Sequence, residues 1–255
     1  MKKAPDKSAV CKQFSNCIHT YCIEATEQQR IAERMMHLIH QLFIPYPEKA
    51  LEIGCGSGFF TRKLFCNFPN SEWIINDISD KVRDFIFPIA DEKEVQNIHF
   101  LIGDAENIDF PDNLDLITST SAIQWFHHPE IFFKKVAQSL TDDGYFAFST
   151  FGPQNYIEIR EITGNGLHYY SADELCAMLE THFTILRVEV NIIPIYFSET
   201  IKLLRHIKKT GVNGSFRKHW TKRHLDSFTE QYQRFKDEKG YRLTYHPVYI
   251  IAKKK

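Results

Sequence analysis

Three glycines spaced two apart, Gly54, Gly56 and Gly58, directly follow the apolar run around Leu51 and Ile53 and precede a helix-compatible stretch. Glycine permits a tight turn and lets a ligand approach bare backbone, so this is where a small molecule would be cradled. The third glycine of a dinucleotide fingerprint, G-x-G-x-x-G, would fall at position 59, which is Phe59. A pyrophosphate is therefore disfavoured. Glu52 lies beside the loop, and a carboxylate there repels a pyrophosphate but suits a ligand with an amino group and a sulfonium. Those are the charges of S-adenosylmethionine. A glycine triplet alone fits an ordinary turn equally well, so the decision rests on the acids that follow.

The second β-like run ends Ile75-Asn76-Asp77, twenty-three residues after Gly54, where nucleoside sites of α/β folds place a carboxylate to accept the ribose hydroxyls. Ile78 is positioned to lie against an adenine face. The third run leads into Gly103-Asp104-Ala105-Glu106, which puts Asp104 within reach of the adenine amine, although a solvated turn aspartate or helix N-cap is an equally ordinary use of that residue. Ala105, beside it, and Ser119, at the end of the fourth run, complete the candidate cofactor set, with Glu52, Asp77 and Asp104 coming from carboxyl ends of neighbouring strands. Gln124 and Trp125 follow that fourth run and are candidates for a substrate wall, the alternative being that Trp125 and Phe126 belong to the core.

These positions require a parallel sheet. Over residues 47–151, KALEIG, EWIIND, NIHFLIG, LDLITST and GYFAFSTF alternate with helix-compatible stretches, the pattern of a doubly wound α/β core. The expected fold is a mostly parallel, seven-stranded, Rossmann-like sheet. Residues 1–46 read as N-terminal helices covering the site, because apolar positions between Phe14 and Leu42 recur at three and four. Residues 152–240 hold the remaining elements: a helix begun by the capping box Ser171/Glu174, the run FTILRVEVNIIPIYF read as strand, and a helical lid over about 198–225. The last segment, 241–255, reads as an edge strand. With 255 residues, 43% hydrophobic and 25% charged, the chain fits one globular α/β unit with an insertion. The net charge of −1 implies no partner by itself. Six cysteines without a C-x-x-C pair argue for reduced thiols and no metal site. No apolar run reaches membrane-spanning length, and a cytoplasmic protein without a membrane partner is expected.

The motif order resembles the class I S-adenosylmethionine-dependent methyltransferases. More specifically, Ser121-Ala122-Ile123-Gln124-Trp125, the stretch AFSTFGP from Ala147, the segment from Leu204 to Gly211, and Tyr241-Arg242-Leu243-Thr244-Tyr245-His246 are similar to the malonyl-acyl-carrier-protein O-methyltransferases of biotin synthesis. The resemblance runs from about Phe14 to the final strand. It implies methyl transfer from S-adenosylmethionine to the free carboxylate of a malonyl group on acyl carrier protein. It also implies catalytic roles for Tyr21 on an early helix and for Arg205 and Lys208 in the lid. Glu52 stands where some members have aspartate.

Other residues have plainer explanations. Tyr21 also fits an amphipathic helix; His127 and His128 lie in the turn before a helix opened by Pro129; His168 fits packing or an interface; Cys55 is simply small enough for its loop. Between Ile201 and Leu225 there are eight basic residues and no acid, which is either a solvated face or a docking surface for an acidic carrier. Two other functions stay open, a methyltransferase acting on a free small molecule and an RNA-binding methyltransferase. The second lacks the Asn/Asp-Pro-Pro-aromatic string, the place of which is taken by Ser119-Thr120-Ser121-Ala122-Ile123, so no nucleic acid partner is expected. A monomer is expected.

Overall fold

A computed structural model of the chain describes residues 5–12, 25–209 and 221–255. Its elements in chain order are α1 (7–12), α2 (Thr26–Gln41), β1 (Lys49–Ile53), α3 (Phe59–Asn67), β2 (Glu72–Asp77), α4 (Arg83–Glu92), β3 (Ile98–Ile102), β4 (Leu114–Thr120), α5 (Pro129–Ser139), β5 (Leu140–Phe151), α6 (Ile157–Thr163), α7 (Ala172–Leu179), β6 (Phe183–Val190), β7 (Ile193–Phe197), α8 (Thr200–Lys209), α9 (Lys222–Tyr232), β8 (Lys236–Asp237), β9 (Gly240–Tyr245) and β10 (Pro247–Lys254). They divide into two compact units. The larger spans Thr26–Thr150, Ser171–Glu189 and Val248–Lys255; the smaller draws on the described residues within 1–25, Phe151–Tyr170 and the described residues within 190–247.

In the larger unit a seven-stranded sheet runs in the order β3-β2-β1-β4-β5-β10-β6, the doubly wound arrangement expected from the sequence. The pairs β1/β2, β1/β4, β2/β3 and β4/β5 are all parallel. Strands buried on both faces read as continuous apolar runs, and Leu51, Ile53, Ile74, Ile75, Leu116 and Ile117 are all buried. The order reverses between β1 and β4, so this sheet's switch point falls where β1 ends in the glycine loop. Phe133 on α5 packs against Phe146 and Phe148 of β5 at centroid distances of 5.9 and 5.5 Å. Burying each such ring is worth roughly 1.5–3 kcal/mol, so this layer holds α5 against the sheet. The register between β4 and β5 shifts between Leu114 and Leu116, and the β5 strand continues without a break through Gly144 to Phe151.

Two strand readings are corrected. The run FTILRVEVNIIPIYF is two strands in different sheets, β6 at one edge of the large sheet and β7 in a three-stranded sheet of order β7-β9-β8. The terminal run is likewise divided into β9 and β10, and β10 lies inside the large sheet between β5 and β6, with Val248 to Ala252 buried. The two breaks adjoin, since the Asn191 amide donates to the Pro247 carbonyl at 3.0 Å. Pro247 has no amide of its own to offer a ladder, which suits the first position of a strand.

The smaller unit packs α6, α8 and α9 with this antiparallel sheet. Helix α8 falls in the segment expected to form a helical lid, α9 starts near its end and runs on to Tyr232, and residues 210–220 lie outside the described set. Buried Glu158 on α6 accepts from the Thr244 amide at 3.1 Å, the Thr244 hydroxyl at 2.5 Å and Arg242 Nε at 3.1 Å. The His246 ring covers Gly152 so closely that a Cβ there would come within 2.7 Å of it. Of the expected N-terminal helices, α2 is one; Phe14, Ile18 and Tyr21 lie outside the described residues. Ser171 caps α7 through the expected capping box with Glu174. Among the described residues no helix is long and apolar enough to cross a membrane.

Candidate active site

The loop after β1 turns because Gly54 and Cys55 both donate their amides to the Asn76 carbonyl at the end of β2, at 2.9 and 3.0 Å. Gly54 and Gly58 have φ of 69° and 81°, a region that favours glycine. A Cβ on Gly54 would lie 2.5 Å from Ala122 Cβ, and one on Gly58 would lie 2.4 Å from Ile89 Cδ1. Gly54 is thus required by close packing of the protein on itself, and Gly58 by its backbone conformation, in addition to any ligand.

Asp77 closes this turn. One of its oxygens accepts from the Gly56 amide at 3.0 Å and the other from the Ser79 amide at 2.9 Å. Burial pushes its carboxyl above the usual range and the two amide bonds oppose that rise. Glu52 is only 1% exposed and accepts from the Thr61 hydroxyl at 2.6 Å. Burial raises it to about 8, the Thr61 bond offsetting part of the rise and the nearby Asp77 adding to it. A buried pair of acids with one partly protonated member is the environment that a cation would relieve. Burial, with both acids nearby, also pushes the Cys55 thiol well up. It stays protonated, and no nucleophilic role follows.

Further polar groups lack partners. The hydroxyls of Ser57, Ser119 and Ser149 are buried with no hydrogen-bond partner among the described residues; a buried unsatisfied group costs about 1–3 kcal/mol. Ser119 was expected; Ser57 and Ser149 were not, and the available signal was a small polar residue inside a loop or strand that is otherwise apolar. Ile78, 37% exposed beside Asp77, offers an apolar face. Acids for hydroxyls and a cation, unpaired hydroxyls and this apolar surface fit a cationic nucleoside.

The turn after β3 is built around Asp104, which accepts from the Glu106 amide at 3.1 Å and from Asn107 Nδ2 at 2.8 Å. It performs the turn role. Ala105 beside it is buried. After β4, Ser121 adopts φ 54°, Gln124 donates to the Ser121 carbonyl and accepts from the Thr150 hydroxyl at 3.4 Å, and Trp125 is half-buried. His127 and His128 are exposed, and their amides both go to the Glu106 carboxylate, at 2.8 and 2.7 Å. As expected, His128 stands at the N-cap of α5 with Pro129 next. Exposed His168 packs on Tyr170 with centroids 4.7 Å apart. In the smaller unit, Arg205 and Lys208 lie on the exposed side of α8, away from the buried Leu203 and Ile207. Tyr21 lies outside the described residues.

A doubly wound sheet with a glycine turn at its switch point and acids at successive strand ends defines the class I methyltransferase fold. Residues 51–148 match the family described as a methyltransferase domain. The structure is similar to a crystal structure titled a putative methyltransferase from Bacillus halodurans, with a TM-score of 0.64, 16% identity and coverage of 86% of this chain and 97% of that one. At the level of sequence, a malonyl-[acyl-carrier protein] O-methyltransferase of Bacteroides thetaiotaomicron is 46% identical, over 98% of this chain and 99% of that protein. One of Bacteroides fragilis is 41% identical over 99% of this chain, which spans only 51% of that relative's length. The chain belongs to the malonyl-[acyl-carrier protein] O-methyltransferase family.

Proposed function

We propose that the protein methylates the free carboxylate of a malonyl group carried on acyl carrier protein, as a step of biotin biosynthesis. The observation that carries this is the 46% identity, over nearly the full length of both chains, to a protein of that name. S-Adenosylmethionine, as the bound donor, supplies an activated methyl group on its sulfonium. In this reading Asp77 holds the ribose hydroxyls, Glu52 and the turn at Gly54, Gly56 and Gly58 hold the methionine end, Ile78, Asp104 and Ala105 border the adenine, and Ser119 lines the floor. The unpaired buried hydroxyls and the raised Glu52 support that assignment.

A carboxylate is already ionised near neutral pH, so the acceptor needs no general base. Catalysis is positioning together with removal of water from the acceptor. Gln124 and Trp125 form the acceptor wall, Arg205 and Lys208 hold the malonyl carboxylate, and a catalytic role falls to Tyr21 by family resemblance. Arg205 suits bidentate recognition, and since too tight a pair would blunt the nucleophile, its role is orientation. The carrier docks on the basic residues of α8 and α9. Lys202 contributes less than its charge suggests, because it pairs with Glu199 at 3.1 Å. The protein acts as a cytoplasmic monomer on a diffusing carrier.

Incubation with S-adenosylmethionine and, separately, malonyl carrier protein, acetyl carrier protein, a malonyl coenzyme A thioester and free malonate, followed by mass spectrometry, tests this. Only malonyl thioesters should gain a methyl group, with the carrier-bound form preferred. Methylation of free acids alone would point to a small-molecule enzyme.

A further inference from the structure

The two sides of the site described above, the turn after β3 and the segment after β4, are joined by one side chain. Glu106 leaves the turn that Asp104 builds and splits its carboxylate between two backbone donors, Oε2 accepting from the His127 amide at 2.8 Å and Oε1 from the His128 amide at 2.7 Å. Those amides lie two and three residues beyond Trp125. The Asp104 carboxylate in turn accepts from the Glu106 amide at 3.1 Å, giving a continuous chain Asp104, Glu106, His127/His128. A second brace keeps the turn from moving alone: Lys135 on α5 donates to the Ala105 carbonyl and, at 2.9 Å, to the Ile108 carbonyl, with its ammonium 4.3 Å from the Phe110 ring centroid. On the far side, Phe126 meets Phe132 of α5 edge-on at 4.6 Å.

We propose that Glu106 is a positioning residue that couples cofactor binding at the Asp104 turn to the placement of Gln124 and Trp125 against the acceptor. The inference rests on the functional reading above. Bonds from a carboxylate to amides are charge-assisted and directional, and two of them to consecutive residues fix both the position and the tilt of the segment they hold. When the turn settles on the adenine, the segment that carries the acceptor wall is drawn with it. Coupling of this kind needs a physical connection between the two sites that both ligands bias, and this carboxylate supplies it. Neither histidine ring is required, since both contribute through their backbone.

The test is hydrogen exchange read by mass spectrometry, on the intact protein and on Glu106→Ala, with and without S-adenosylhomocysteine as probe. In the unaltered protein the probe should slow exchange both in residues 103–107 and in 121–128. In the variant it should still slow 103–107 but no longer 121–128. In turnover, kcat should fall about tenfold and the acceptor KM should rise, while the Kd for the probe stays within about twofold, because the lost bonds serve the acceptor side. Glu106→Gln keeps the size of the side chain and replaces one accepting oxygen with a donor, so it should show an intermediate loss, and it serves if the alanine variant is unstable. Unchanged protection of 121–128 by the probe in both variants would overturn the coupling, as would loss of probe affinity in proportion to kcat, which would make Glu106 part of the cofactor pocket. Failure of the unaltered protein to bind the probe would overturn the cofactor reading itself, and the coupling with it.

Discussion

Thr61, in the first turn of α3, donates its hydroxyl to Glu52 of β1 across 2.6 Å, and both side chains are buried. This bond stabilises the ionised form of a carboxyl that burial otherwise raises to about 8. At about 8, this carboxyl is only partly ionised at neutral pH, so a cation bound beside it would link binding to loss of the proton.

Binding of S-adenosylmethionine should release a proton from Glu52 near pH 7, and affinity should rise between about pH 6 and 8. Calorimetry in buffers of differing ionisation enthalpy measures the proton count. In the free protein the raised folded value means that stability from this group is complete below the unfolded value, near 4.5, and is lost as pH rises through about 8. Glu52→Gln should remove that loss, so the variant melts higher than the parent at alkaline pH while binding the cofactor more weakly. Equal proton release by parent and variant would exclude Glu52 as the source.

Asp77→Ala should weaken S-adenosylmethionine binding by about 1.5–3 kcal/mol, since charged hydrogen bonds to the ribose are lost. Asp77 also accepts the Gly56 and Ser79 amides, so a modest fall in thermal stability should accompany the change. Titration calorimetry giving an unaltered Kd would remove Asp77 from the site, and NAD should not bind to either protein.

With cofactor saturating, turnover should be flat from about pH 6 to 8, because the acceptor carboxylate is ionised throughout. Replacing His127, His128 or His168 by Gln should leave that profile unchanged. Arg205→Ala and Tyr21→Phe should each slow turnover with little change in cofactor affinity. A rate limb that disappears with one histidine would establish acid-base chemistry instead.

Exposed Lys222 and Arg223 open α9, where acidic residues suit the helix dipole, so Lys222→Glu with Arg223→Glu should fold normally. If this surface steers an acidic carrier, the KM for malonyl carrier protein should rise in the variant. It should also climb with salt in the parent, as screening shortens from about 10 Å at 0.1 M to about 3 Å at 1 M. Turnover of a small malonyl thioester should hardly respond. Carrier kinetics unchanged at low salt would reduce the basic run to a solvated face.

The glycine turn, the acids at strand ends and the alternating core were legible in the sequence because each depends on local rules: glycine conformations, apolar runs as long as a buried strand, and a carboxylate where a strand stops. The same rules read the capping box of Ser171 and Glu174 and the turn before Pro129. What they do not contain is partnership. The run before Phe197 and the run after Tyr241 look like single strands, since apolar alternation says which residues are buried and nothing about the neighbour that buries them; only the assembled sheets separate β6 from β7 and β9 from β10, and place β10 inside. Gly54 reads as a ligand contact alone until the fold brings Ala122 against it as well. Glu106 reads as one more turn acid until the amides of His127 and His128, more than twenty positions away, are found on its two oxygens. Hydrogen bonds and close packing between distant segments are set by the path of the chain through space, and that path is what the tertiary structure alone decides.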